Sequence, residues 1–314
     1  MKLSVLTLVR HRRDHLVNLM KSLEAQQQRP EELVIAWMQP TRERNLPETS
    51  FPVQHVMVEG EALPLARARN AAVEAASFEA LVFLDVDCIA SPGLIVRYRE
   101  ALLTRPALYI GEVHYLPADA VRYCDGDGHD NKNGHDKQDS HDGGAIDLDR
   151  LSELGERHPA RPALASWEVR PEPDHGNLWG LSFALMRADH WRAGGMDEAY
   201  VGYGGEETDY AWRLAAANIP LYWLGGALAW HQHHPLHAPP YPQLEAIVTN
   251  ARRFHARWGH WCMDYWLGQF REAGVIDWSP EADDIKILRA PTDQEIDEAR
   301  LPQSARYCLS LIHI

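Results

Sequence analysis

Four short apolar runs constrain most strongly what this chain can fold into. They are "LSVLTLV" (3–9), "ELVIAWM" (32–38), "VQHVMV" (53–58) and "EALVFLDVD" (79–87). The first and last are continuous and rich in Val, Leu and Phe, the pattern of strands covered on both faces. Helical stretches separate them. "DHLVNLMKSLEAQ" (14–26) opens on an Asp and places Leu16, Leu19, Met20 and Leu23 at helical spacing. "LPLARARNAAVEAAS" (63–77) is alanine-rich, and "SPGLIVRYREALLT" (91–104) carries Pro at its first helical position. "ALYIGEVHYL" (107–116) reads as another strand. The alternation predicts an α/β fold with a mostly parallel central sheet, whose ligands bind beyond the carboxyl ends of the strands.

The later chain predicts a helix over 146–157, a strand over 177–187, a helix over 206–218 and an amphipathic helix over 242–266. "LYWLGGALAWHQH" (221–233) reads as short strands around Gly225 and Gly226. From about 275 the pattern weakens, and "RYCLSLIHI" at the end is assigned no function. Between Cys124 and Ala145 there is no apolar residue, so 124–144 is expected to be a mobile surface loop or lid. His-Asp recurs there at 129–130, 135–136 and 141–142, which leaves a metal role open. The closing glutamate of a calcium loop is missing.

Composition excludes several classes. The net charge of −14 disfavours a nucleic-acid partner, because phosphate contacts need a basic surface. Cys88, Cys124, Cys262 and Cys308 form no C-x-x-C pair, so neither a disulfide framework nor a zinc module is expected. No apolar run is long enough for a transmembrane segment, and the N-terminus lacks the pattern of a secretory signal. A cytoplasmic location is the expectation.

Three constellations carry chemistry. Asp85 and Asp87 end a buried strand, where residues two apart in extended chain face the same way. They are either a pair of oxygen ligands for Mg²⁺ or Mn²⁺ or two acids in a solvated turn. Arg10, Arg12 and Arg13 follow the first strand, and Arg67, Arg69 and Asn70 open a helix; such groups contact a nucleotide diphosphate. His231, in "AWHQHH", is either structural or a further metal ligand. In "VGYGGEETDY" (201–210), Glu206, Glu207 and Asp209 follow Gly202, Gly204 and Gly205. The acids either complement a helix end or put a carboxylate against a ligand that the glycine backbone approaches.

The order "LDVDC", then "WGLSFALMRADHWRAGGMDEAYVGYGGEETDYAWRL", then "AWHQ" resembles a GT-A glycosyltransferase over roughly residues 2–235. It is similar to bacterial family 2 enzymes whose C-terminal half resembles the β-1,4-galactosyltransferases. The resemblance implies a Rossmann-like nucleotide-sugar-binding half (1–115) fused to an acceptor-binding half (116–235) that includes the loop 124–144. A helical extension (236–275) and a tail (276–314) follow. It further implies Asp85 near the ribose, Asp87 of the D-x-D motif and His231 on Mn²⁺ or Mg²⁺, and Trp179 and Gly180 bordering the sugar pocket. Arg10, Arg69 and Gly205 complete the donor side. Glu206 holds a sugar, and Glu207 takes the place of the catalytic base. The chain departs from the family in having Glu-Glu where Glu-Asp is usual, and Met38-Gln39 where many relatives carry an acid near the nucleobase. The implied activity is inverting transfer from a nucleotide-sugar, of UDP type, to a hydroxyl acceptor. A metal-dependent nucleotidyltransferase or phosphotransferase would explain Asp85 and Asp87 but not the glycine-acid segment. A non-catalytic sugar-binding protein would need neither those acids nor His231.

Overall fold

A computed structural model describes residues 1–60, 62–124 and 144–306. The nucleotide-binding pattern appears as β1 (Leu3–Val9), α1 (Arg13–Glu24), β2 (Glu32–Trp37), β3 (Val53–Met57), α2 (Leu65–Ala75), β4 (Ala80–Leu84), β5 (Cys88–Ala90), α3 (Leu94–Thr104) and β6 (Leu108–Tyr115). Then come β7 (Tyr123–Cys124), β8 (Ala145–Ile146), α4 (Leu148–Leu154), β9 (Glu156–Arg157), β10 (Val169–Glu172), β11 (Ser182–Met186), α5 (Arg187–Arg192), α6 (Glu206–Ala216) and β12 (Leu221–His231). The chain closes with α7 (Leu244–Trp258), α8 (Asp264–Glu272), β13 (Ile276–Asp277), β14 (Lys286–Ile287) and α9 (Asp293–Glu298). The expected mobile loop lies almost wholly in 125–143, and the terminal run in 307–314, both outside the described residues.

The main sheet runs β10-β12-β6-β11-β4-β1-β2-β3. β3, β2, β1 and β4 are parallel, β11 enters antiparallel between β4 and β6, and β12 lies parallel to β6. Every residue of β1 and β4 is buried, because helices cover both faces. Val5 and Val9 pack with Leu16, Leu19 and Leu23 of α1 on one face. Leu6 and Leu8 pack with Ala66, Ala68 and Ala72 of α2 on the other, where small side chains let the helix sit close.

Three expectations change in detail. The helix expected over 242–266 is two, α7 and α8, because Gly259 at φ +75° ends the first. Residues 221–231 form one strand, not two, because a register irregularity between Leu224 and Leu228 absorbs both glycines. The Gly225 and Gly226 N–H groups there donate to Glu168 O and Glu112 Oε2. The weakly patterned segment from 276 is also ordered. Ile276, Trp278 and Ile285 are buried with Ile247, Phe254, Leu267 and Phe270 in a third core built on α7 and α8. No helix among the described residues is long and apolar enough to cross a membrane.

Candidate active site

The carboxyl ends of β1, β4 and β12, the amino end of the antiparallel β11 and the amino end of α6 come to one edge of the sheet. Arg69, buried on α2, joins them. Its Nη2 donates to Glu207 Oε1 at 2.6 Å and reaches Asp85 Oδ1 at 3.4 Å, and its Nη1 reaches Glu206 Oε1 at 3.4 Å. Burial alone would lower the pKa of Arg69, but Glu207, Asp85 and Glu206 outweigh it and raise it. The acids outnumber the cation, and they carry the strain. Burial, with Asp87 and Glu207 adding and Arg69 opposing, pushes Asp85 up to about 7. Burial and then Glu207 push Glu206 up to about 7 as well, against Arg69.

Asp85 and Asp87 do not face the same way along an extended strand as their spacing suggests. β4 ends at Leu84, and the Cys88 N–H bonds back to Asp85 O at 2.9 Å, so 85–87 is a turn. The turn is forced because Cys88–Ala90 must leave β4 and pair antiparallel with β12. Asp85 therefore turns to Arg69, while Asp87 turns to Arg12 Nη1 at 2.6 Å. The same pairing sets Cys88 opposite His231. It brings His231 Nε2 to 3.5 Å and His234 Nε2 to 3.7 Å from the Asp87 carboxylate. Burial would raise the Asp87 pKa, but His231, Arg12, His234 and His15 together hold it low.

Ligand atoms of Asp87, His231 and His234 lie within 4.8 Å of one another. Asp87 Oδ1 and His231 Nδ1 are buried without a hydrogen-bond partner. One carboxylate and two imidazoles suit Mn²⁺ better than Mg²⁺, which prefers oxygen. His234 was not singled out from the sequence; its signal was the third histidine of "HQHH".

The three acids of the glycine-acid segment differ sharply. Gly202, Gly204 and Gly205 have φ of +82°, +91° and +86°, so the turn that delivers α6 requires glycine. Asn250 of α7 holds this turn by donating to Gly204 O at 2.7 Å and Val201 O at 3.2 Å. The side chain of Glu207 is 27% exposed, against 6% for Glu206 and 0% for Asp209. Besides Arg69, Glu207 accepts the Gly180 N–H at 2.8 Å. A Cβ on Gly180 would stand 1.9 Å from Glu207 Oε1, so any larger residue there would push the carboxylate out of this position. Asp209 instead accepts from Trp258 Nε1 at 3.0 Å, facing α7 rather than the cleft. Asp209→Ala is expected to lower stability by about 1–3 kcal/mol, through the indole left unpaired, in a denaturant titration. The acids also complement the amino end of α6, so the helix-end reading holds alongside the site.

The Glu206 environment has a measurable consequence. Its folded pKa is raised, so between the unfolded value near 4.5 and the folded value of about 7 the native state binds more protons. Stability from this group is complete below that window and falls as pH rises through it. A melting-temperature series from pH 4.5 to 8 is expected to fall less steeply for Glu206→Gln than for the parent.

The other expected residues fall as follows. Arg10 and Arg12 leave β1 at this edge, whereas Arg13 Nη2 bonds Asn45 O at 2.8 Å and Arg67 Nη1 reaches Glu59 O at 3.4 Å. Asn70 is internal, bonded to Met196 and Glu198. Gln39 accepts the His11 N–H at 2.6 Å and donates to Thr41 O at 2.8 Å, which ties the chain after β1 to the chain after β2. Trp179 lies against the Arg161 guanidinium, 3.1 Å from its ring centroid, with His158 edge-on at 5.1 Å. Burial, opposed by Tyr115 and Glu172, pushes Arg161 down to about 9. Sequence reasoning did not single out Arg161 or Asn250, because each acts on a segment remote in the chain.

No protein-family model matches the chain. Over 227 residues it is 29% identical to validoxylamine A glucosyltransferase of Streptomyces hygroscopicus subsp. jinggangensis (strain 5008), covering 66% of this chain and 48% of the relative. The protein of the same name from Streptomyces hygroscopicus subsp. limoneus matches at 29% identity, with 44% of its length covered. The chain thus spans about half the length of the curated relatives it matches. Among solved structures, GalNAc-T7 with UDP, GalNAc and Mn²⁺ superposes with a TM-score of 0.52 at 16% identity, covering 74% of this chain and 43% of that one. S. aureus TarS 1–349 in complex with UDP-GlcNAc superposes with a TM-score of 0.50 at 14% identity, covering 80% and 66%. Taken with the sheet order and the D-x-D turn, these likenesses identify the chain as having the GT-A glycosyltransferase fold.

Proposed function

We propose that the chain is a metal-dependent glycosyltransferase that moves a sugar from a nucleoside-diphosphate sugar, of UDP type, to a hydroxyl acceptor with inversion. The observation that carries the reading is the partly exposed Glu207 carboxylate, oriented by the Gly180 N–H and by Arg69, which also reaches Asp85, with the Asp87–His231–His234 group starting two residues after Asp85. Support comes from the curated relatives, which are named glucosyltransferases. The superposed structures hold UDP with Mn²⁺ in one case and UDP-GlcNAc in the other.

Residues 1–115 form the nucleotide-binding half, and 116–235 the acceptor and catalytic half, which also borders the donor sugar, on the plan of the β-1,4-galactosyltransferases. Arg10, Arg69, Asp85, Trp179, Gly180 and Gly205 shape the donor pocket. Asp87, His231 and His234 would hold a divalent metal, and such an ion would supply positive charge to offset the negative charge developing on the departing diphosphate. Glu207 accepts the proton of the acceptor hydroxyl as that oxygen bonds the anomeric carbon and the bond to diphosphate breaks. Glu206 and Arg69 keep the Glu207 side chain in place.

A donor screen tests the reading: nucleotide-sugars are offered with and without Mn²⁺, and released nucleoside diphosphate is measured. Diphosphate release that needs Mn²⁺ and tracks a glycosylated product supports it. Release of pyrophosphate instead would mean nucleotidyl transfer.

A further inference from the structure

The turn that delivers α6 is held from outside the sheet. Asn250, midway along α7 and fully buried, donates from Nδ2 to Gly204 O at 2.7 Å and to Val201 O at 3.2 Å. Both partners are carbonyl oxygens, so only the two N–H groups of the amide can meet them. Among the described residues its Oδ1 has no hydrogen-bond partner, so the position uses the donors of the amide and not its acceptor. α7 also packs on the turn closely. A Cβ on Gly202 would stand 2.5 Å from Ala246 Cβ, and one on Gly205 would stand 3.4 Å from Asn250 Cβ. About two helical turns beyond Asn250, Trp258 Nε1 donates to Asp209 Oδ1 at 3.0 Å, in the first turn of α6. α7 thus grips the amino end of α6 at two points, and Ile247 and Phe254 anchor α7 itself in the C-terminal core.

Glu207 is the second residue of α6, directly behind this turn. Its oxygens are aimed by Arg69 of α2 and by the Gly180 N–H ahead of β11, and neither donor belongs to the turn. Both bonds therefore need the backbone at 205–207 to stay in register with α2 and β11. A misplacement of about 1 Å in a reacting group costs on the order of a hundredfold in rate. We propose that Asn250 is a positioning residue for the transfer step. By fixing the turn at 201–205 it sets where the Glu207 carboxylate stands, so the C-terminal core on α7 and α8 is part of the catalytic unit. This rests on the glycosyltransferase reading above.

The test uses the full chain. Asn250→Asp sets carboxylate oxygens against the two carbonyls, and Asn250→Leu keeps nearly the same shape without a donor. Each is expected to lower kcat about ten- to a hundredfold, with donor KM within about twofold of the parent. Should Asn250→Asp fail to fold, Asn250→Leu reads the same effect. Ile285→Val, in the same core but away from the turn, should lower the melting temperature and leave kcat unchanged. A double variant separates positioning from general damage. If Asn250 acts through Glu207, adding Asn250→Leu to Glu207→Gln should cost less than about twofold more in kcat, because residues acting as a unit are not additive. Parental kcat in Asn250→Leu would overturn the proposal, as would the full loss recurring in the double variant. If the parent transfers no sugar, the transferase reading falls, and amide hydrogen exchange still decides the role of Asn250. Faster exchange confined to 202–209 in Asn250→Leu would keep Asn250 as the residue that places Glu207, and unchanged exchange there would sink it.

Discussion

Glu207→Gln is expected to lower turnover by about 10²–10⁴-fold, the usual contribution of a general base, equivalent to roughly 3–5 kcal/mol of barrier. The geometry narrows the choice among the three acids. Asp209 is enclosed and bonded to Trp258, so no acceptor reaches it. Glu206 is almost enclosed, with its pKa up to about 7, and is suited to holding Arg69 rather than meeting substrate. Glu207 alone of the three is open to the cleft, and both its oxygens are aimed by donors that Gln can satisfy only in part. Glu207→Asp is the informative companion. It keeps a proton acceptor, restores the Glu-Asp order of the resembled family and shortens the side chain by one methylene. It should retain more turnover than Gln. Donor-only hydrolysis serves as a control, because water replacing the acceptor still needs the base. Near-normal turnover in Glu207→Gln, with loss in Glu206→Gln, would move the base by one residue.

How far the site could be read in advance depends on the range of the interactions that make it. The strands β1 and β4 are legible because burial on both faces demands continuous apolar runs, and such runs are local. The glycine-acid segment is legible for the same reason: positive φ at 202, 204 and 205 admits little but glycine. The D-x-D pair was legible in position but not in direction. Its turn is imposed by β5 pairing with β12, a contact between residues far apart in sequence. That pairing also recruits His234, which no local pattern separates from a solvated histidine. The C-terminal module hid because its strands are two residues long, so Ile276, Trp278 and Ile285 show no period; they are apolar because α7 and α8 cover them. Nothing local in the sequence marks Arg161, and only the fold places Trp179 under it.

Removing divalent metal is expected to abolish turnover, and Mn²⁺ to restore it. Asp87 is the residue on which this depends most. It lies between His231 and His234, and Arg12 already neutralises one of its oxygens at 2.6 Å. Asp87→Ala removes the only carboxylate of the group and leaves Arg12 facing two imidazoles, so it should lose both turnover and metal-dependent donor binding. His234→Ala keeps Asp87 and His231 and should weaken Mn²⁺ without eliminating it. Thermal unfolding gives a readout independent of activity. A ligand bound only to the native state at a hundredfold above its Kd stabilises by about 2.7 kcal/mol, which for a chain of this size is a rise of several degrees in Tm. The parent should show that rise on adding Mn²⁺, His234→Ala a smaller one at the same concentration, and Asp87→Ala none. Arg12→Ala separates metal binding from simple charge pairing. Without Arg12 the Asp87 carboxylate has only the histidines, so the Mn²⁺-induced rise should grow, because the metal no longer competes with the guanidinium. Full turnover in excess chelator, or an equal Mn²⁺ response in Asp87→Ala, would leave the Asp87–His231–His234 cluster as a purely structural contact between β5 and β12.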